Sequence, residues 1–304
     1  MSPLVHHRAP SFVGNNLSFA FRYAVKRVRF AVTALGGRPA VTYAAYRTAS
    51  TAVHHAIRNA GFGVSAKAHM LAPENLVARV RERQRFDDAS CELPKSCHVG
   101  DWSVRLGILE PKREADFVML VRDPWAVAHS IFVLNAAKFS RDFASPPESE
   151  DARAQLVDQA EARIFGSFPR EIMSRWMRSD AAVALGWDPL QQPFDIERGA
   201  SAYEHGPWRM QLMRTDIPDT RKSDILSAFF RRRSITVVRK NEALSLRNTS
   251  TTIADIAREA IARRPDEVAR LLDDDFCRHF WSSTERANMR DRWQHPCSTM
   301  LRAR

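Results

Sequence analysis

The chain has 304 residues, of which 44% are hydrophobic, which is enough to bury a sizeable core and too apolar for bulk disorder. Its formal charge is +11, and only seven of its 46 cations are lysine, so it suits anionic partners such as nucleotides, acidic glycans, nucleic acid or anionic lipid, although a GC-rich coding bias would also enrich arginine. The four cysteines (91, 97, 277 and 297) form no C-x-x-C pair and no His/Cys cluster with zinc spacing, which argues against a zinc centre and leaves free thiols in a reducing compartment, or a single bridge.

Residues 1–16 carry Pro, Gly, Asn and a tandem His6-His7, the composition of a loose terminus. Residues 17–35 form a helix candidate that ends at Gly36-Gly37 and Pro39. Arg22, Lys26, Arg27 and Arg29 interrupt its apolar and aromatic residues, a pattern that fits peripheral contact with an anionic membrane or an ordinary helix packed on the protein. No window approaches the ~18 uninterrupted apolar residues of a spanning helix. Residues 1–9 lack the apolar run of about 7–15 residues of a secretory leader. The expectation is a cytoplasmic protein, with membrane contact confined to residues 17–35.

The first core strand is expected over residues 41–45, in the apolar run 40–45. It enters a loop of small hydroxylated residues, Tyr46-Arg47-Thr48-Ala49-Ser50-Thr51, followed by a helix over residues 52–60 with Gly61 as its C′ residue. A second strand, residues 63–70, carries His69 near its end. Residues 73–88 read as a helix that starts with Pro, residues 89–100 as a loop, and residues 102–109 as either strand or helix.

The clearest strand is residues 115–121 (ADFVMLV), which runs into Arg122-Asp123-Pro124 and a helix over residues 125–137. A surface loop is expected over 139–151, helices over 152–165 and 170–184, and irregular chain over 187–206. Strands follow at 207–214 and 235–239, separated by a helix at 221–230. Helices at 253–262, 266–272 and 283–293 close the chain. Strands alternating with helices indicate an α/β fold with a central, mainly parallel sheet flanked by helices. The expected organisation is an extension (1–39), one α/β domain (40–294) and a short tail (295–304).

A strand, a small-residue loop with one cation, then a helix is a recipe for holding an anion. The helix N-terminus offers backbone N–H groups and partial positive charge, Ser50 and Thr51 supply hydroxyls, and Arg47 supplies a full charge. The loop is not a Walker A motif, which needs Gly-x-x-x-x-Gly-Lys-Ser/Thr. In parallel α/β folds ligands sit at the carboxyl ends of strands. The loop Arg47–Thr51, His69 and the stretch Arg122–Ser130 all fall at expected strand ends, so one sheet edge could collect two arginine-bearing anion sites and a histidine able to act as a general base.

Tyr46 to Thr51 after a strand resembles the 5′-phosphosulfate loop of sulfotransferases. The stretch Val121-Arg122-Asp123-Pro124-Trp125-Ala126-Val127-Ala128-His129-Ser130 resembles their 3′-phosphate motif, in which an Arg ends a strand and a Ser eight residues later lies on the next helix. Further features are similar, in order, to the sulfotransferase-like capsular polysaccharide synthesis proteins. These are His69, the Arg-Asp-Pro segment, a Trp-led block from Trp176 to Gly206 with Pro193-Phe194, a strand bearing Arg214, and an Asp-rich segment with His279-Phe280 before a final helix and Trp293.

The resemblance covers roughly residues 40–293. It implies a P-loop NTPase-like sulfotransferase fold and transfer of a sulfuryl group from 3′-phosphoadenosine 5′-phosphosulfate to a hydroxyl of a glycan, glycolipid or other small acceptor, with no metal required and no specific nucleic acid partner. In that scheme Arg47 stabilises the bridging oxygen of the leaving nucleotide. Backbone and side chains of Thr48, Ala49, Ser50, Thr51 and Ala52 hold the 5′-phosphosulfate, Arg122 and Ser130 hold the 3′-phosphate, and His69 takes the acceptor proton.

Many sulfotransferases carry Lys where this chain has Arg47 and Gly where it has Ala49. A loop that needs positive φ at Ala49 would be strained. Rivals for the base are His54, His55, His98 and Asp101, and Arg214, Arg239 and Asn241 are candidate contacts to nucleotide or acceptor. Trp176, Trp187 and Trp208 read as core, and His279-Phe280 as packing. Two other functions fit parts of the pattern. One is a nucleotide-dependent phosphotransferase, which would want Mg²⁺ and a loop lysine. The other is a non-catalytic protein that binds polyanions or the envelope through a degenerate pocket.

Overall fold

The computed structural model describes residues 24–25, 28, 37–62, 65–78, 97–166, 171–231, 234–238 and 249–295. The expectations for residues 1–16, most of 17–35, 79–96, Arg239, Asn241 and 296–304 lie outside the described residues; Ala24, Val25 and Val28 are helical.

The architecture is α/β, with five strands in the order β2-β1-β3-β5-β4. Strand β1 is Ala40–Tyr43, β2 Ser65–Ala68, β3 Ala115–Val121, β4 Ala200–His205 and β5 Trp208–Arg214. The pairs β1/β2, β1/β3 and β3/β5 are parallel, and β4 joins the edge antiparallel to β5. Every residue of β1 and β3 is buried, the pattern of strands covered on both faces.

Alternation along the strands divides the core in two. Val41, Tyr43, Phe117, Met119, Val121, Met210 and Leu212 point to one side. There they pack with α3 (Pro124–Phe139), α4 (Glu150–Gly166), α7 (Thr249–Ala262) and α8 (Pro265–Leu272). Ala40, Val118, Leu120 and Met213 point to the other, under α1 (Ser50–Asn59) and α6 (Asp219–Phe229). At the amino end of β3, Asp116 is 3% exposed and accepts from Arg38 Nε (3.0 Å) and from Arg209 Nε and Nη2 (2.8 and 2.7 Å), which pins the chain entering β1 to β3 and β5.

Four expectations need correction. Residues 200–206 are not irregular: β4 forms a hairpin with β5, and Gly206 supplies the positive φ (54°) of its turn. The Gly and Pro residues around it mask a half-exposed edge strand. Residues 235–239 do not form a strand in the described part. Ile235 and Val237 are buried in alternation, but their N–H groups donate to Ser227 Oγ and Ser223 Oγ on α6 (both 3.0 Å), so helix hydroxyls replace a sheet ladder.

The expected loop 89–100 ends in helix, since α2 (Cys97–Val104) runs on through a π-helical turn at Arg105–Leu109 and settles 102–109 as helical. Within the expected loop 139–151, Arg141–Ala144 is a 3₁₀ turn, and Phe143 packs edge-on against Phe132 (5.3 Å between centroids). The remaining helices are α5 (Ile172–Trp176), continued by a π-helical turn at Met177–Ala181 and an α-turn at Ala182–Leu185, then α9 (Asp275–Phe280) and α10 (Ser283–Gln294). Among the described residues no helix is long and apolar enough to cross a membrane.

Gly100 explains how α2 lies against β2. A Cβ there would meet the Lys67 carbonyl oxygen at 2.2 Å, a backbone atom with no rotamer to yield. Gly100→Ala is expected to destabilise the fold by about 1–3 kcal/mol through overpacking. Urea denaturation measures this, and an unchanged midpoint would contradict the close approach.

Candidate functional site

The chain leaves β1, returns through α1 to β2 on one side, and later places β3 on the other side of β1. The carboxyl end of β1 is therefore a topological switch point, where open α/β sheets form their ligand crevices. The loop 44–49 starts there. Ala44 N continues the pairing to Ala68 O (3.1 Å), and the Thr48 hydroxyl, fully buried, donates back to Ala45 O (2.7 Å) to close a tight turn.

Arg47 (φ 64°) and Ala49 (φ 56°) both adopt left-handed backbone without being glycine. Each such residue costs about 1–2 kcal/mol, so the surrounding contacts enforce the loop's shape. Ala49 is the N-cap of α1 and has no side-chain cap, and Ser50 is buried in the first turn. The strain expected at the residue that stands in place of glycine is present.

Two stretches remote in sequence meet at this loop. Arg47 Nε donates to Ser130 Oγ on α3 (3.1 Å), and Arg122 Nη1 donates to the Arg47 carbonyl. Arg122 follows β3 directly, and Asp123 caps α3 by accepting from Trp125 N (2.9 Å) and Ala126 N (3.4 Å). The other Asp123 oxygen accepts from Arg292 Nη2 (2.6 Å) and Trp293 Nε1 (2.8 Å), which brings α10 to the same place. Burial lowers the pKa of Arg122; Asp123 opposes the shift, and Arg47 and Arg292 add to it. Burial likewise lowers Arg47. Guanidinium groups stay charged through such shifts, so like charges held together in a half-desolvated place favour an anion. Thr51 Oγ1 accepts from Lys67 Nζ on β2 (2.8 Å), which adds a lysine to the loop from outside it.

His69 follows β2 and is 5% exposed. Its Nδ1 lies 2.7 Å from the Ala44 carbonyl oxygen, and its ring stacks on Tyr46 (4.3 Å between centroids). A carbonyl only accepts, so Nδ1 carries the proton of the neutral ring and Nε2 carries the lone pair. Burial, helped by Lys67 and opposed by the Ala44 carbonyl, lowers the His69 pKa to about 4.

The other sequence candidates fall elsewhere. His54 and His55 lie within α1, and the His98 side chain is outside the description. Asp101 is fully buried, and its Oδ1 accepts from His69 N (2.6 Å). Arg214 is 6% exposed and bonded to Asp216, Glu285 and the Phe280 carbonyl, a structural tie rather than a ligand contact. Trp176, Trp187 and Trp208 are core, and His279 packs edge-on against Phe280 (4.6 Å).

Among the described residues no group of three or more His, Cys, Asp or Glu could hold a metal ion. Two open depressions, of about 560 Å³ (Asp195, Arg198, Arg221 and Asp224 among the lining) and about 420 Å³ (Arg178, Asp188, Arg278 and His279 among the lining), include no residue of the loop or its partners. Their mixed charges and openness make them weaker candidates than the switch point.

Comparisons with protein-family models, with curated proteins and with solved structures find no match to this chain.

Sequence reasoning missed Lys67, Arg292 and Asp180, had Trp176 only as core, and had Asp101 only as a rival base. Lys67 stands two residues before His69 within the expected strand 63–70, and that spacing was the one available signal. Arg292 and Asp180 are single charged residues in helical segments, with no spacing to mark them.

His69 charges near pH 6.5 in an unfolded chain and near 4 in the folded one. Between these values the unfolded state binds the extra proton, so stability is full above pH 6.5 and falls as pH drops. At pH 5 the loss from His69 alone is about 2 kcal/mol. His129, which lies against the Ala254 carbonyl and is also lowered to about 4 by burial, acts in the same direction. Urea denaturation at pH 8 and pH 5 is expected to show this limb, and His69→Gln to shrink it.

Proposed function

We propose that this chain is a sulfotransferase with a P-loop NTPase-like fold, which transfers the sulfuryl group of 3′-phosphoadenosine 5′-phosphosulfate to a hydroxyl of a glycan, glycolipid or other small acceptor. One observation carries the reading. The 46–51 loop and the 122–130 stretch, remote in sequence, meet at the carboxyl end of β1 through Arg47–Ser130 and Arg122–Arg47 contacts. That juxtaposition supports a donor with an anionic group at each end. The resemblance of both stretches to sulfotransferase motifs supplies its identity.

The donor's 5′-phosphosulfate is assigned to the N-terminal turn of α1, with Thr48–Ala52 backbone N–H groups, the Ser50 and Thr51 hydroxyls and Lys67 around it. The 3′-phosphate is assigned to Arg122 and Ser130. Entry of the donor exchanges the Arg122–carbonyl and Arg47–hydroxyl hydrogen bonds for charge-assisted ones to phosphate. The acceptor oxygen attacks sulfur as the bond from sulfur to the 5′-phosphate oxygen breaks, and the electron pair leaves on adenosine 3′,5′-bisphosphate, where Arg47 neutralises it. The acceptor proton passes to His69 Nε2. An imidazole with a pKa of about 4 is neutral throughout the physiological range and takes that proton only once the acceptor oxygen has become positive. Much of the acceleration then comes from positioning and charge neutralisation, as in phosphoryl transfer.

Lys67 at Thr51 favours a second reading, a nucleotide-dependent phosphotransferase, because it brings a lysine to the loop. Calorimetric titration with adenosine 3′,5′-bisphosphate, ATP–Mg²⁺ and duplex DNA at physiological salt separates the readings. The expected result is preference for the bisphosphate. Preference for ATP–Mg²⁺ selects the phosphotransferase, and salt-dependent binding of DNA alone selects a polyanion binder. Arg122→Ala is expected to weaken bisphosphate binding about 10- to 100-fold, the scale of a lost charge-assisted contact. His69→Ala is expected to spare that binding and slow sulfate transfer about 10²- to 10⁴-fold; normal turnover would remove His69 from the mechanism.

A further inference from the structure

The turn that carries His69 is held by side chains to an unusual degree. Asp101 Oδ1 accepts from His69 N (2.6 Å) and Met70 N (3.4 Å). Trp176 Nε1 donates to His69 O (2.7 Å), and Arg105 Nη1 donates to Leu71 O (2.8 Å). Asp180 accepts from Leu71 N (2.8 Å) and Ala72 N (3.2 Å). A peptide turn at a strand end ordinarily finds such partners in water or neighbouring backbone. Here four side chains from two helical segments do the work.

Both segments change their winding where they make contact. Arg105 opens the π-helical turn that ends α2, and Asp180 lies in the π-helical turn that follows Trp176. Such turns are uncommon and concentrate at functional sites. Asp101 and Asp180 are 0% and 1% exposed, and burying a carboxylate costs several kcal/mol unless donors surround it. Asp180 has four donors, with the Tyr43 hydroxyl and Asn75 Nδ2 (2.8 Å) added to the two backbone groups. Burial raises its pKa, and these hydrogen bonds oppose the shift.

Asp180 is thus tied to both sides of the imidazole's frame. Tyr43 precedes Ala44, whose carbonyl holds His69 Nδ1, and Leu71 lies two residues beyond His69. Trp176 strengthens the link by packing edge-on against Tyr43 (4.8 Å between centroids).

We infer that Asp101 and Asp180 are positioning residues, which clamp the 69–72 turn from two π-turned helices and so fix His69 as the Nδ1–H tautomer with its lone pair on Nε2. The inference rests on His69 as the base of the proposed reaction. The clamp serves the acceptor side of the chemistry and makes no contact with the residues assigned to the donor's 3′-phosphate. In Asp180→Asn, one acceptor oxygen becomes a donor amide facing groups that are themselves donors, so the turn is released without a change in volume.

The test is nitrogen-15 NMR of histidine-labelled full-length protein across pH, with calorimetric binding of adenosine 3′,5′-bisphosphate on the same samples. In the wild type His69 is expected to show a single Nδ1–H tautomer titrating near 4. Asp180→Asn is expected to give mixed tautomers and a midpoint at least about one unit higher, towards the ordinary imidazole value, with bisphosphate affinity within about twofold of wild type. Arg105→Ala, which removes the donor to Leu71 O together with a partly exposed ion pair to Glu110 (3.2 Å), is expected to move His69 in the same direction by less, and it decides the matter if Asp180→Asn does not fold. A folded variant in which His69 keeps one tautomer and an unchanged midpoint overturns the clamp. Absence of bisphosphate binding by the wild type would defeat the proposed reaction instead, and the NMR comparison would still decide whether the clamp exists.

Discussion

The complete burial of β1 governs the rest of the molecule. The strand is four residues long, has a parallel neighbour on each side, and none of its residues reaches solvent. A strand enclosed in this way can release its chain only at its end, so Ala44 and Ala45 still lie in the core and the turn must be made abruptly by Tyr46–Ala49. The left-handed backbone at Arg47 and Ala49 is the physical consequence, and the Arg122 hydrogen bond to the Arg47 carbonyl helps to hold it. Packing energy from the strand is converted into a local shape that an isolated segment would not keep.

Charge is arranged to match. At the amino end of β3, Asp116 and Glu114 together neutralise Arg38 and Arg209 within one structural cluster. At the carboxyl edge the balance is reversed: Arg47, Arg122, Lys67 and Arg292 surround the loop, and Asp123 is the acid bonded there. The carboxylates nearest His69 accept from backbone N–H groups and hold the turn. One edge of the sheet balances its own charges, and the other carries an excess of cations.

Much of this was legible in the chain itself. Residues 115–121 read as a strand because six of the seven are apolar, Asp116 being the exception, and such a run, buried on both faces, has little alternative; the α/β alternation follows from their spacing with the helices. The loop and the Arg122–Ser130 stretch were visible as residue types at strand ends. What escaped were features set by tertiary contact. The β4 hairpin hides among Gly and Pro, and 235–238 has strand-like alternation but spends its N–H groups on α6 hydroxyls. Gly100 looked like loop punctuation when it is the place where α2 touches β2. Asp101 and Asp180 are single carboxylates whose role depends on partners 31 to 137 positions away, and no local pattern announces that.

The bond from Asp123 to Arg292 and Trp293 spans 169 and 170 positions. It joins the residue after Arg122 to the last described helix, so the cationic edge is unfinished until that helix is in place. A folding chain can pair β1, β2 and β3 early, while Asp123 is still short of two partners. Contacts of such long range form late and close slowly. The last described helix therefore closes onto the loop region after the sheet around β1 has paired, and it is the slowest of these contacts to form.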